Sequence, residues 1–424
     1  MTEPLYCGAM NPSVAKRDLG PFRDVPYMGV IYVVAEAMKL GYHGDHPDWC
    51  NLGQGMPEVG ALPGAPPRAS KIEIDVRDLA YGPVSGIDAL RDRVAALYNH
   101  WYRSGRKSQY RAENVAITAG GRLALTRAVW ALSDVRLGYF TPDYTAYEDL
   151  VGGISRIDPV HIPLLPENGF AIAPSELAAR VDEQALRALL ISNPCNPTGR
   201  VIRDEELQQW VDMGRRKGTA LLFDEFYSHF VWNGSAPVSA ARYVENVDED
   251  PVLIVDGLTK SYRYPGWRCG WTLGPRDWIE TLTCSGSALD GGASRWQQIG
   301  ALPLVEPQHA EREAQAMRQA FKPKRDLMVE RLRGMGITFP REPEGTFYCW
   351  GSLEELAPPF DDGFEFFRRA LDRKVITVPG QFFDVNPRKQ RQGPSRLERW
   401  MRFSFGAPMP VVERGLERLT EMLG

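Results

Sequence analysis

Five short apolar runs restrict the fold of this chain more than any other feature. They are Val115–Thr118, Leu137–Thr141, Ala188–Ser192, Ala220–Asp224 and Val252–Val255. Each is too short for a helix and reads as a nearly continuous apolar segment rather than a strict alternation, the pattern of a strand buried on both faces. Helical stretches such as Leu123–Leu132 and Asp204–Arg216 lie between them. The alternation predicts an α/β fold: a mainly parallel sheet covered by helices on both faces. Sheets of this kind take ligands beyond the carboxyl ends of their strands. Most polar motifs of the chain fall at such ends.

The flanking sequence is organised differently. A helix is expected over Ile31–Leu40, and Pro57–Pro67 reads as a connector rich in Pro and Gly. Ile87, Leu90, Val94, Leu97 and Trp101 recur at helical spacing after Ser85-Gly86. Beyond the alternating region, a long charged helix is expected from Glu306 to Arg333. It is followed by strands at Thr346–Trp350, Val375–Val378 and Arg399–Phe405, a helix near Phe364–Leu371 and a terminal helix to Leu423. That order predicts a smaller α+β domain. The expected division is an N-terminal segment (1–55) joining the small domain, a large domain (56–320) and the small C-terminal domain (321–424).

Composition removes several classes of function. With 424 residues, 43% apolar and 25% charged, the chain can bury a sizeable core. A net charge of −4 leaves no basic footprint for nucleic acid, and the richest positive stretch, Arg388–Arg396, reads as a solvated loop. No apolar run approaches the roughly 18 residues of a membrane span. Six cysteines without Cys-x-x-Cys spacing argue against a disulfide framework or a zinc site. Met1–Cys7 lacks the charged-then-apolar pattern of a secretory signal, so a cytoplasmic protein is expected. His43, Asp45, His46 and Asp48 crowd one loop, which reads as a polar turn rather than a metal site.

Chemistry concentrates in five places. Lys260 follows the Val252–Val255 run, and Arg268 lies eight residues on, behind Pro265-Gly266. An amine nucleophile with a phosphate counter-charge is what a protein needs to hold pyridoxal phosphate. Gly120-Gly121 joins a strand to a helix, where backbone N–H groups attract phosphate. Asn193-Pro-Cys-Asn-Pro-Thr-Gly199 places two Asn-Pro turns past another strand, presenting Asn196 as a donor to a ring phenolate. Asp224 ends a strand, where a carboxylate raises its pKa or finds a cation such as a pyridinium, and Tyr227 lies three residues later. Arg402 sits in an apolar strand, where a buried guanidinium calls for a carboxylate partner. Each has a plainer reading alone: a surface lysine, tight turns, a helix cap, a structural ion pair.

In this order, from about Tyr27 to Leu423, these motifs resemble the fold-type I pyridoxal-phosphate enzymes of the class I/II aminotransferase family. The resemblance implies an aminotransferase that moves an amino group between an L-amino acid and a 2-oxo acid, with pyridoxal 5′-phosphate as cofactor. It implies that Lys260 carries the internal aldimine, Asp224 pairs with the pyridine nitrogen, and Asn196 and Tyr227 hold the ring hydroxyl. Arg268, Gly121 and Arg122 are implied to bind phosphate, and Tyr144 to stack on the ring. Arg402 is implied to clamp the substrate carboxylate, with the Gly55 backbone closing the other side. Tyr81 matches a tyrosine that reaches the phosphate of a neighbouring subunit, implying a homodimer with composite sites.

Three features depart from the pattern. Gly257 stands where some members have a phosphate-binding serine, a loss Thr259 is expected to offset; Asp290–Arg295 lacks the Ser-x-x-Ser-Pro pattern; and Asp384–Arg396 is longer than expected, reading as a lid or a mobile loop. Elimination, a cyclopropane-forming step and oxygen-dependent oxidation share the same scaffold. A cofactor-sensing regulator would carry an added DNA-binding domain, and only a short segment precedes the first family motif. For the substrate side chain, Arg295 would suit an acid, Asp290 a base, and Phe22, Tyr27 and Trp296 an apolar group.

Overall fold

The computed structural model describes Gly20, Pro21 and residues 29–424 apart from Asp45 and Ser235. Cys7, Phe22, Tyr27 and Asp45 therefore lie outside the described residues. The five apolar runs form strands, joined by two more, in one seven-stranded sheet. In chain order these are β1 (Val115–Thr118), β2 (Val135–Thr141), β3 (Ile157–Pro163), β4 (Ala188–Ser192), β5 (Ala220–Asp224), β6 (Val252–Gly257) and β7 (Gly270–Leu273). Their spatial order is β1-β7-β6-β5-β4-β2-β3. Pairing is parallel between β3, β2, β4, β5 and β6, while β7 runs antiparallel to both β6 and β1. Every residue of β4 and β6 is buried, as expected for strands with helices on both faces.

The register fixes what meets at the carboxyl ends. Ser192 of β4 lies beside Asp224 of β5, and Asp224 beside Val255 of β6. Residues of β4 and β6 therefore flank Asp224, and the segments that follow both strands emerge beside the carboxylate that ends β5.

The helix Pro307–Gly334 runs 28 residues through an internal proline, Pro323. It leads to a three-stranded antiparallel sheet of β8 (Tyr348–Ser352), β9 (Val378–Pro379) and β10 (Trp400–Ser404) in the order β9-β10-β8. The central strand carries Arg402, opposite Trp350 and Val378. Cys50–Asn51 pairs in parallel with Val375–Ile376, tying the N-terminal region to this smaller unit. One apolar cluster runs from Val33 and Leu52 through Phe347 and Phe403 to Leu222 and Val255, so both sheets share a core. Among the described residues no helix is long and apolar enough to cross a membrane.

The segment expected to be a lid or a mobile loop, Asp384–Arg396, is pinned. Asn386 N donates to the Glu148 carboxylate at 2.9 Å, Arg388 Nη2 to the Ile157 carbonyl at 2.8 Å, and Arg396 Nη2 to Thr141 Oγ1 at 3.2 Å. It clasps the outside of the large sheet, and none of its residues lines the cavity described next.

Candidate active site

A cavity of about 430 Å³ opens at the carboxyl ends of β1, β2, β4, β5 and β6, roofed by β8, β10 and residues 54–56. It gathers Lys260, Asp224, Tyr227, Asn196, Gly121 and Arg122, together with Tyr144, Arg268, Thr259, Arg402 and Gly55. Of the residues that the resemblance implies for the cofactor and the substrate carboxylate, only Tyr81 stands outside it.

Lys260 follows β6, and its amine donates to the Gly55 carbonyl. Burial lowers its pKa to about 7, aided by the positive charges of Arg402, Arg268 and Arg122 and opposed by Asp224. The amine is thus substantially unprotonated near neutrality, the state in which it is a nucleophile. Asp224 accepts from Tyr147 OH at 2.8 Å and from the Phe226 N–H at 3.4 Å. Burial raises its pKa to about 6 against those two donors and the charge of Lys260.

Arg402 is fully buried, with its guanidinium 4.0 Å from the Tyr348 ring centroid. It donates to Asn196 Oδ1 at 2.9 Å and to the Gly53 carbonyl at 2.7 Å, while Nε has no partner. Asn196 spends its oxygen on Arg402, which leaves its amide N–H groups for a ligand. Tyr227 OH lies 2.7 Å from Tyr348 OH, and burial pushes its pKa well up, keeping the phenol protonated.

The turn after β1 supplies an anion cradle. Gly120 (φ +88°) precedes the helix Gly121–Ala131, and a Cβ on Gly120 would stand 2.5 Å from Arg268 Nη2. The guanidinium therefore lies directly over a helix N-terminus, where N–H groups and dipole favour an anion. Thr259 Oγ1, buried beside it in the cavity lining, has no hydrogen-bond partner. An orphaned hydroxyl, a free helix N-terminus and an arginine fit a phosphate group, and the buried Asp224 carboxylate fits a cationic ring nitrogen. The missing serine at Gly257 has a steric cause: a Cβ there would meet Gly270 Cα at 2.5 Å and the Cys269 carbonyl at 2.7 Å.

The residues weighed for the substrate side chain lie elsewhere. Arg295 donates to Asp78 at 2.9 Å, and Asp290 takes both Nε and Nη2 of the buried Arg127, so neither charge faces the cavity of its own chain. Trp296 is half-exposed on the helix Arg295–Ala301, outside the lining. Tyr81 is fully exposed, as are Val76 and Leu79 for the most part. Two site residues escaped the sequence reading. Tyr147 holds Asp224 and sits in the Thr141–Tyr147 motif, three residues past Tyr144; Tyr348 underlies Arg402 and carries no sequence signal beyond its strand.

A lysine at the strand ends of an α/β sheet, facing a carboxylate and an anion cradle in one cavity, fits a group-transfer enzyme. The family profile described as aminotransferase class I and II matches residues 47–419. An aspartate aminotransferase of Streptomyces avermitilis is 31% identical over 317 residues, covering 72% of this chain and 74% of that protein. A valine–pyruvate aminotransferase of Mycobacterium tuberculosis is 28% identical, covering 89% of this chain and 92% of its own. The crystal structure of an aminotransferase from Mycobacterium tuberculosis superposes with a TM-score of 0.77 at 27% identity, over 94% of this chain and 97% of the other. The chain belongs to the class I and II aminotransferase family, and its reaction is the transfer of an amino group between an amino acid and a 2-oxo acid.

Proposed function

We propose that this transfer runs on pyridoxal 5′-phosphate held in the 430 Å³ cavity, with Lys260 as the residue that both carries the cofactor and moves the proton at the substrate Cα. The observation that carries the reading is the convergence of the Lys260 amine, the Asp224 carboxylate and three arginines, Arg122, Arg268 and Arg402, on one cavity. When bound, the cofactor supplies the electron sink for the substrate carbanion. Asp224 keeps the ring nitrogen protonated, oriented by Tyr147. Asn196 and Tyr227 donate to the ring oxygen, and Tyr144 covers a ring face. The Gly121 and Arg122 turn, Arg268 and the Thr259 hydroxyl hold the phosphate.

Arg402 grips the substrate carboxylate beside the Gly55 backbone and so aligns the Cα–H bond with the Lys260 amine. Its Nε, which has no partner, and the second N–H of each Nη are the donors left for that carboxylate. We place the division of the chain at 1–55, 56–320 and 321–424, and the working unit is a homodimer. The support for the dimer is the exposed run Ile74, Val76, Leu79 and Tyr81, apolar side chains of one segment left in solvent by a single chain. In the dimer, Tyr81 reaches the partner's phosphate.

The carboxylate role is open to a direct test. Arg402→Lys keeps the charge and loses the planar fork. The expected result is a KM raised about 10–150-fold for amino acid and 2-oxo acid alike, the equivalent of one charged hydrogen bond of about 1.5–3 kcal/mol. Steady-state kinetics with a saturating cofactor checks it; an unchanged KM for both substrates contradicts the clamp.

A further inference from the structure

Lys260 and the backbone that covers it lie 205 residues apart in the sequence. The covering strap, residues 52–60, places the Gly55 carbonyl on the Lys260 amine. Its first half is held by β10: the Leu52 carbonyl accepts from Ser404 N at 2.6 Å and the Gly53 carbonyl from Arg402 Nη2 at 2.7 Å. Its second half is held by Arg263 together with two contacts of Glu58, whose N–H donates to the Gly406 carbonyl at 2.7 Å and whose carboxylate accepts from Lys324 Nζ at 2.5 Å. Arg263 Nη1 donates to the Glu58 carbonyl at 2.9 Å and to the Gly60 carbonyl at 2.7 Å.

Arg263 also belongs to the lysine's own turn. It lies three residues after Lys260 with φ +59°, and its N–H donates to the Lys260 carbonyl at 3.0 Å. The side chain is fully buried, and Nε donates to Glu313 Oε1 at 2.7 Å, from the helix Pro307–Gly334. Arg68 backs the arrangement, donating to the same carboxylate oxygen at 3.1 Å and to the Arg263 carbonyl at 2.7 Å. An apolar contact would tie these segments together at lower desolvation cost than a buried ion pair. What the guanidinium adds is direction: a rigid plane, anchored on Glu313 through Nε, whose Nη1 fixes two strap carbonyls relative to the turn bearing Lys260.

We infer that Arg263 is a positioning residue for the amino-group transfer: it locks the strap at a fixed height over Lys260 and thereby sets how tightly the amine is covered and how the strap edge meets a substrate carboxylate beside Arg402. This role rests on the reading of Lys260 as the reactive amine. Its physical consequence concerns water. Burial is the largest cause of the lowered Lys260 pKa, with Arg402, Arg268 and Arg122 adding to it and Asp224 opposing. A loosened strap admits solvent to the amine and lets its pKa climb back toward the ordinary lysine value.

The test is acylation of cofactor-free protein by acetic anhydride across pH, read at Lys260 by peptide mass mapping, in wild type, Arg263→Lys and Glu313→Gln. Lysine in place of Arg263 keeps the charge, but its single nitrogen cannot hold Glu313 and the strap carbonyls together as Nε and Nη1 of the guanidinium do. The expected midpoint near pH 7 in wild type rises by about one pH unit in Arg263→Lys, and KM for the amino acid rises about tenfold in the reconstituted enzyme. Glu313→Gln, whose amide oxygen still accepts from Nε, folds with less disruption and moves both readings in the same direction by less. A lowered Tm with wild-type midpoint and KM in both variants would reduce Arg263 to a stability role and overturn the inference. A wild-type Lys260 that is not reactive near neutrality would instead sink the reading of the amine itself.

Discussion

Lys260→Ala is expected to lower the rate of amino-group transfer by at least about 10²–10⁴-fold, the usual contribution of a positioned acid–base group, and to do so without unfolding the protein. The residue lines an open cavity, so its removal leaves no closed void, and the buried amine is itself unfavourable. Tm should therefore not fall. The variant is also expected to release pyridoxal phosphate on gel filtration, because the remaining contacts to phosphate and ring are non-covalent. Single-turnover kinetics with an amino acid separates the two losses. A variant with near wild-type turnover would remove Lys260 from the chemistry.

Asp224→Asn carries the second large effect. The side chain keeps its shape and its place beside Ser192 and Val255, but no longer supplies a charge to a ring N–H. Truncating one partner of a desolvated charge pair costs about 2–5 kcal/mol, or about 30–5,000-fold, and here the loss should fall on kcat. The pH dependence of cofactor binding gives a second reading. Asp224 is raised to about 6 by burial and Lys260 is lowered to about 7, so affinity in wild type should weaken as pH falls through both values. Protonating Lys260 removes the nucleophile and protonating Asp224 removes the counter-charge. Only the Lys260 step should remain in Asp224→Asn. Binding titrations at several pH values check this; an unaltered lower step would mean that Asp224 is not the group facing the ring.

Much of the site was legible because its residues sit at strand ends, and strand ends were marked by continuous apolar runs. Ala188–Ser192 and Ala220–Asp224 coincide with β4 and β5, and the cavity gathers the side chains that follow them. Two strands of the large sheet were missed for physical reasons. β3 carries two prolines and alternating exposure, as an edge strand tolerates, and β7 is four residues beginning at a glycine. Long-range contacts left no local trace. Nothing near Tyr348 reveals that it underlies Arg402, and nothing near Arg263 reveals that its guanidinium reaches back to Glu58 and Gly60. Arg295 and Asp290 were legible only as charges; their partners, Asp78 and Arg127, are distant in sequence and left no local trace. Gly257 looked like a lost phosphate contact; packing against Gly270 explains it without reference to phosphate.

The central claim is that Lys260 and its surroundings run a reversible amino-group transfer on pyridoxal phosphate. The most direct measurement is the visible absorbance of the purified protein after addition of the cofactor and gel filtration, followed through a panel of L-amino acids and then a 2-oxo acid. The expected result is a retained visible band that an amino acid discharges with release of one equivalent of its 2-oxo acid, and that a second 2-oxo acid restores. A band that is never retained, or one discharged only with release of ammonia or uptake of oxygen, would contradict it.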